Sequence, residues 1–241
     1  MKVVLPYPAV ELNKKQQVSE MFNRIALTYD FLNHFLSAGI DRHWRKHAVK
    51  ILADDNPRII LDVASGTADF AIAAMKINPD KITGIDLSEK MLAIGRKKIL
   101  KKKLGEKIEL LEGDCEALPF SENKFDAVTV GFGVRNFMNP LNGLAEMNRV
   151  LKPGGKLIVL EFSKPENIIV SGIFNFYFRK FCPFIGGLVS KDRNAYRYLK
   201  TSVQQFPDGN DFLAMMETAG FMETSQKKLT FGIVSIYCGT K

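Results

Sequence analysis

Three aspartates carry the first chemical signal in this sequence. Each follows a short apolar run: Asp62 after Ile59-Ile60-Leu61, Asp86 after Ile82-Thr83-Gly84-Ile85, and Asp114 after Leu110-Leu111-Glu112-Gly113. The first run leads through Val63-Ala64-Ser65-Gly66-Thr67-Ala68-Asp69 into a helical pattern. That order reads as a buried parallel strand, a tight turn and a helix start. In an open α/β sheet, a nucleotide-like ligand lies outside the carboxyl end of such a strand. A dinucleotide site needs Gly-x-Gly-x-x-Gly, and a Walker loop needs a lysine after its second glycine. Here one glycine, Gly66, stands between Ala64 and Ala68, and no such lysine follows. The turn is tight but poorly built for phosphate. S-adenosylmethionine (SAM) has a ribose, an adenine and an amino-acid tail but no phosphate, and it suits this loop.

Asp86 lies at the interval expected of a ribose-binding carboxylate, with Leu87 beside it. Asp114 is placed to accept from an adenine amino group, and Cys115 offers a backbone N–H next to it. Asp62, Ala64, Gly66 and Thr67 complete the candidate cofactor-binding set. One strand-end aspartate alone is more readily a helix cap or a solvated loop residue. Three in succession, with a glycine-poor loop, favour SAM.

A second group lies past the fourth apolar run, in Phe132-Gly133-Val134-Arg135-Asn136. Arg135 can stabilise a developing oxyanion, and Asn136 can orient a hydroxyl or a water. An ion pair with a nearby acid is the plain alternative for Arg135. His43 and His47 stand four apart on one helical stretch, but the zincin glutamate and a third ligand are missing, so no metal site is expected. Tyr196-Arg197-Tyr198-Leu199-Lys200 spells the Tyr-x-x-x-Lys of short-chain reductases. Those enzymes need a glycine-rich first loop that this chain does not have.

The elements that must position these residues alternate. Expected strands are 59–64, 81–86, 108–113, 125–131 and 156–162, with helices over about 68–77, 89–102 and 140–151 and a turn at Lys152-Pro153-Gly154-Gly155. A helix over 211–219 precedes two antiparallel strands, 222–228 and 233–239. The βα repetition predicts an α/β fold with a mostly parallel sheet and helices on both faces. Ahead of it, residues 14–38 and 41–52 are helical, after an extended arm. They form a lid or simply pack on the core.

The chain has 241 residues, 46% hydrophobic and 25% charged, with a net charge of +8, which places it among globular domains and leaves open an anionic partner. Its three cysteines are scattered, without Cys-x-x-Cys, as in a reducing compartment. No signal-peptide pattern opens it. The basic run Arg96–Lys103 is read mainly as a solvated helix face. Residues 168–190 are rich in Ile and Phe, interrupted by Asn175, Arg179, Lys180 and Pro183. They suit a greasy gate or a membrane interface better than a spanning helix.

Several stretches together are specific. Met21-Phe22-Asn23-Arg24-Ile25-Ala26, Tyr29-Asp30, Leu61-Asp62-Val63-Ala64, Phe132–Asn136, Arg149–Gly155, Leu160–Pro165, Tyr196–Leu199, Phe206-Pro207 and Gly232–Val234 resemble the demethylmenaquinone and polyprenyl-benzoquinol C-methyltransferases. The resemblance runs from about Val18 to the last residue. It implies a class I methyltransferase, Rossmann-like fold: a seven-stranded, mostly parallel sheet with an antiparallel last strand, residues 1–55 as arm and helical lid, and 56–241 as SAM-binding core with an aromatic insertion at about 166–205. It implies SAM-dependent C-methylation of a polyprenylated quinol, demethylmenaquinol first and 2-polyprenyl-6-methoxy-1,4-benzoquinol as the alternative. Arg135, Asn136 and Tyr29 are then the catalytic candidates, with Tyr29 facing the substrate. The expected partners are the lipophilic quinol and, transiently, the membrane surface from the cytoplasmic side. Nucleic acid is not expected, since Gly133–Asn136 replaces the Asn/Asp-Pro-Pro-aromatic motif of exocyclic-amine enzymes, and a homodimer is allowed. A non-catalytic SAM-binding module is the more distant alternative. The family has Gly-Thr-Gly-Asp where this chain has Gly66-Thr67-Ala68-Asp69, and the extra methyl of Ala68 is expected near the cofactor.

Overall fold

Short apolar runs and amphipathic helices alternate through the chain and assemble into one seven-stranded sheet. The computed structural model describes residues 4–177 and 192–241. Phe178, Phe181, Phe184, Ile185, Leu188 and Val189 of the expected gate lie outside the described residues. The elements are α1 (Lys14–Leu36), α2 (Ile40–Ala53), β1 (Ile59–Val63), α3 (Asp69–Ala74), β2 (Lys81–Asp86), α4 (Glu89–Lys101), β3 (Ile108–Glu112), β4 (Phe125–Gly131), α5 (Pro140–Val150) and β5 (Leu151–Phe162). After them come α6 (Ile168–Phe176), α7 (Arg193–Gln205), α8 (Asn210–Thr218), β6 (Met222–Leu229) and β7 (Val234–Thr240).

The strand order is β3-β2-β1-β4-β5-β7-β6. The first five strands run parallel, and β7 inserts antiparallel to both β5 and β6. The expected seven-stranded sheet with an antiparallel last strand is present. One expected turn is corrected. Residues 152–155 lie inside β5 as an irregularity, with the register passing from Phe125–Leu151 to Ala127–Lys156. Gly154 takes φ +76° there, and its N–H donates to the Lys241 carbonyl while Lys241 N–H donates to Gly155. The chain's last residue thus draws the turn into the sheet.

Two apolar layers hold the sheet. Beneath one face, Leu144, Met147 and Val150 of α5 and Phe212 and Met216 of α8 pack on Val128, Val130, Leu157 and Val159. On the other, α2, α3 and α4 supply Trp44, Leu52, Phe70, Leu92 and Ile99 against Ile60, Ile82 and Ile158. Helix α1 belongs to neither layer. Its Val18, Met21, Ile25 and Leu32 pack with Tyr196 and Tyr198 of α7, above the carboxyl edge of the sheet. It starts at a capping box formed by Asn13 and Gln16.

The turn after β1 presses against α4 at one point. Ala68 is fully buried at φ +64°, and its methyl faces Gly95 of α4. A Cβ on Gly95 would lie 3.2 Å from the Thr67 carbonyl carbon and 3.3 Å from the Ala68 Cβ. Replacing a helical glycine by alanine ordinarily stabilises a helix. Here the sign should reverse: Gly95→Ala is expected to lower stability by about 1–3 kcal/mol, the range for overpacking a filled site. Gly105→Ala, which meets open space, should be neutral. Urea midpoints of the two variants check this.

Candidate active site

Strand order reverses where β1 and β4 lie side by side, and their outgoing loops part there. Both chains leave the sheet through left-handed residues, Ala64 at φ +53° and Phe132 at φ +57°. The loops still touch. A Cβ on Gly133 would stand 2.6 Å from the Ala64 Cβ, so glycine is required for that approach.

A narrow cleft of about 60 Å³ opens beside this point. Ala64, Gly66, Asp86, Leu87, Asp114 and Cys115 all line it, together with Tyr29 and Asn136. Asp86 accepts from Gly66 N–H at 2.8 Å and from Ser88 N–H at 2.9 Å, which orients its carboxylate at the end of β2. Burial pushes the Asp86 carboxyl up, against these backbone amides, which pull it down. Asp114 forms an ion pair with Lys15 of α1, and Leu87 O accepts from Ser19 Oγ at 3.0 Å. Burial also pushes the Cys115 thiol up, so it is held as a neutral thiol at physiological pH. Gly66, at φ +52°, has open space where a Cβ would stand. That bare backbone, beside a ribose-type acid on β2 and with a second acid one strand further out after β3, fits SAM.

Two expected cofactor residues sit just outside the cleft wall. Asp62 is fully buried and accepts from Thr129 Oγ1 at 2.8 Å and Ala71 N–H at 3.1 Å. Thr67 donates from its hydroxyl to Asp30 of α1 at 2.5 Å and accepts from Lys98 at 3.1 Å. Ala68 does not line the cleft either; its methyl is turned toward α4.

The second chamber is larger, about 540 Å³, and mostly apolar. It lies between α1, α2, α6 and α7. Phe22, Tyr29, Phe132 and Asn136 line both spaces, so the two adjoin through one shared wall. Arg135 faces the larger chamber only. Its guanidinium Nη1 donates to Glu161 of β5 at 2.7 Å, and both side chains are buried. The ion pair anticipated for Arg135 therefore exists, but it does not exhaust the residue. Arg135 Nε and Asn136 Oδ1 are buried with no hydrogen-bond partner among the described residues. Tyr29 is packed edge-on against Phe22, at 5.9 Å between ring centres, and burial pushes its phenol up.

Sequence reasoning did not single out Glu161, Lys14 or Lys15 for the site. A signal existed for Glu161, since it is an acid in the apolar run Ile158-Val159-Leu160-Glu161-Phe162, and a buried charge must be paired. The lysines carry no such mark; only the packing of α1 brings them to the loops. His43 and His47 contact one another at 2.9 Å on the exposed side of α2. A different group, His34, Asp41 and Asp69, has its ligand atoms within 4.8 Å of one another. Arg45 and Lys98 already place positive charge on those two acids.

The sequence profile of the ubiE/COQ5 methyltransferase family matches residues 10–241. The chain belongs to this family. A Bacteroides fragilis protein named demethylmenaquinone methyltransferase is 44% identical over 229 residues, covering 95% of this chain and 94% of its own. A Geobacter sulfurreducens protein named ubiquinone/menaquinone biosynthesis C-methyltransferase UbiE is also 44% identical, covering 95% of this chain and 90% of its own. Among solved structures, a SAM-dependent methyltransferase from Thermotoga maritima superposes with a TM-score of 0.63 at 22% identity, over 92% of this chain and 99% of that one. That likeness is one of fold. The ubiE/COQ5 membership makes this chain a SAM-dependent methyltransferase, and the class I α/β fold agrees with it.

Asp62 ties β1 to β4 and α3 beneath the cofactor loop, and desolvation raises its carboxyl from 3.8 to about 7. The folded chain then holds a proton that the unfolded chain has released between about pH 4 and pH 7. Stability should fall as pH rises through that window and level off above it. Asp62→Asn should flatten this slope, changing it by on the order of a few kcal/mol across the window. Denaturant midpoints of both proteins at pH 4.5, 6 and 7.5 test this.

Proposed function

We propose that this protein transfers a methyl group from SAM to a ring carbon of a polyprenylated quinol in respiratory quinone biosynthesis, with demethylmenaquinol as the acceptor. The observation that carries the reading is the shared wall of Phe22, Tyr29, Phe132 and Asn136 between a polar, acid-lined cleft and a large apolar chamber. A water-soluble donor and a greasy acceptor can meet across it. The Bacteroides fragilis relative's name supports demethylmenaquinol. The Geobacter sulfurreducens relative's name also includes ubiquinone, and so keeps 2-polyprenyl-6-methoxy-1,4-benzoquinol as the second acceptor to test.

Asp86 would hold the ribose hydroxyls, Asp114 the adenine amino group and the bare backbone at Gly66 the near side of the cofactor. Admission of the adenine breaks the Lys15–Asp114 pair. When bound, SAM supplies an electrophilic methyl on a positively charged sulfur.

A quinol ring carbon is a poor nucleophile until a ring hydroxyl loses its proton. Arg135 lines the chamber, and its Nε, which has no partner among the described residues, donates to the resulting oxyanion. Glu161 holds Nη1 and so aims the guanidinium. Asn136 Oδ1 accepts from a ring hydroxyl. Transfer of the methyl from bound SAM would form the carbon–carbon bond at the expense of the sulfur–methyl bond, the electron pair of which would remain on sulfur. The ring proton then leaves to a water or to a quinol oxygen. Arg135→Ala should leave the SAM dissociation constant within about twofold and lower turnover of demethylmenaquinol by at least about 100-fold, the range for loss of an oxyanion donor. Intact turnover would remove Arg135 from the reaction.

The acceptor reaches the chamber from a membrane surface. No helix among the described residues is long and apolar enough to cross a membrane. The chamber's surroundings are nonetheless greasy: Leu27, Phe31 and Phe35 follow one face of α1, and Ile168, Ile169, Ile173 and Phe176 project from α6, all exposed. Ile173 and exposed Phe231 also line the chamber, so the apolar surface is continuous with it. With a net charge of +8, an anionic bilayer is the matching partner. Replacing Phe31, Phe35 and Phe176 by serine should reduce sedimentation with phosphatidylglycerol vesicles several-fold. It should slow methylation of a long-chain quinol while sparing a short-chain one. Equal losses on both chain lengths would count against a membrane role.

A further inference from the structure

Five buried side-chain polar atoms have no hydrogen-bond partner among the described residues: Ser65 Oγ, Arg135 Nε, Asn136 Oδ1, Asn148 Nδ2 and Tyr198 OH. Ser65 and Asn148 line neither chamber. The other three residues all line the larger one. Arg135 and Asn136 come from the turn after β4, but Tyr198 comes from α7, which packs against that same turn. Three residues that each carry such an atom, from two separate parts of the chain, therefore line one apolar space.

Tyr198 is 4% exposed, and its ring is held in the cluster formed by α1 and α7. The ring needs no hydroxyl for that packing. Left unpaired, a buried hydroxyl is destabilising, and phenylalanine would fill the same space without that cost. We propose that the Tyr198 hydroxyl is a substrate-binding group that donates, together with Arg135 Nε, to the ring oxygen of the acceptor that loses its proton. This rests on the quinol reading above and deepens it.

Donor and acceptor types decide the assignment. Arg135 Nε–H can only donate, and Asn136 Oδ1 can only accept. Burial pushes the Tyr198 phenol up, so it keeps its proton and can donate; the neighbouring Arg135 acts in the other direction. An oxyanion accepts two donors and suits Arg135 with Tyr198. The hydroxyl that keeps its proton suits Asn136. In a 1,4-quinol, only the oxygen on the carbon next to the methyl acceptor pushes charge onto that acceptor carbon; the other oxygen is meta to it. The Arg135–Tyr198 pair therefore selects which hydroxyl ionises and, through it, which ring carbon is methylated.

The test is Tyr198→Phe, with a chromogenic nitronaphthol as probe and a short-chain demethylmenaquinol as substrate. The thermal midpoint of the variant should be unchanged or higher, because a bare hydroxyl has been removed. SAM affinity should be unchanged. The turnover number on the quinol should fall at least about tenfold, and the acid limb of its pH profile should move to higher pH. Wild type should bind the nitronaphthol as its coloured anion at a pH where the variant binds it mostly neutral. A lower thermal midpoint with an unmoved pH profile would make Tyr198 a packing residue and overturn the proposal. Identical ionisation of the bound probe in both proteins would overturn it as well, while leaving quinol methylation standing. If wild type binds no nitronaphthol and methylates no quinol, the parent reading fails, and this one with it.

Discussion

A guanidinium and a carboxylate, both taken out of water and 2.7 Å apart, constrain the acceptor side of this protein. Neither Arg135 nor Glu161 could be buried alone without a penalty of several kcal/mol, so each requires the other. The pair links the short turn after β4 to the last residues of β5. Phe162, next to Glu161, lies with its ring centre 5.5 Å from the Arg135 guanidinium carbon. Lys14 closes the same turn from above by donating to the carbonyls of Arg135 and Phe137. That lysine is itself buried, and desolvation pushes it down to about 8. A turn held on two sides in this way cannot rotate to satisfy Arg135 Nε, which stays buried with no partner among the described residues.

The rest of α1 makes the same kind of contact with the other loops of the sheet edge. Lys15 pairs with Asp114 after β3, Ser19 bonds Leu87 after β2, Asn23 caps the start of α4 through Ser88, and Asp30 takes Thr67 after β1. With Lys14 on the turn after β4, one helix touches the loops that follow β1, β2, β3 and β4. Its other side packs on Tyr196 and Tyr198 of α7. The narrow cleft and the larger chamber thus share a roof as well as a wall. Disturbing α1 at either end changes the surroundings of both.

How much of this was legible in the residues depends on which way each side chain must turn. The sheet, its order and the gathering of Gly66, Asp86, Asp114 and Asn136 follow from period and from strand ends, because backbone direction alone carries those residues to one edge. Asp62 and Thr67 show the limit. Both stand in the first loop, yet Asp62 turns under it to Thr129 and Thr67 turns up to Asp30. A spacing pattern cannot distinguish these directions from one toward the ligand. The extra methyl of Ala68 is expected beside the cofactor, but a glycine in another helix, Gly95, leaves room for it. The turn at 152–155 is strand because the far end of the chain pairs with it. Each of these differences depends on a partner tens of residues away, where local pattern carries no information.

The division of polarity between the chambers has a chemical reason. Methylation at carbon needs a strong oxyanion close to a sulfonium, and water would weaken their interaction and protonate the oxyanion. An apolar chamber with few, preorganised donors gives Arg135 a low-dielectric setting in which one hydrogen bond to an anion is worth far more than in solution. The acids proposed to hold the nucleoside would be harmful there, because a carboxylate beside the acceptor would repel the phenolate. They stand instead on the far side of Phe22, Tyr29, Phe132 and Asn136. Glu161 is the exception that tests the rule. It lies close to the acceptor side, but it is neutralised by Arg135, so the pair adds donors to the chamber without adding net charge. On the proposed reaction, the same wall would keep the acids from the phenolate while letting donor and acceptor meet, which gives one site a reason for two unlike compartments.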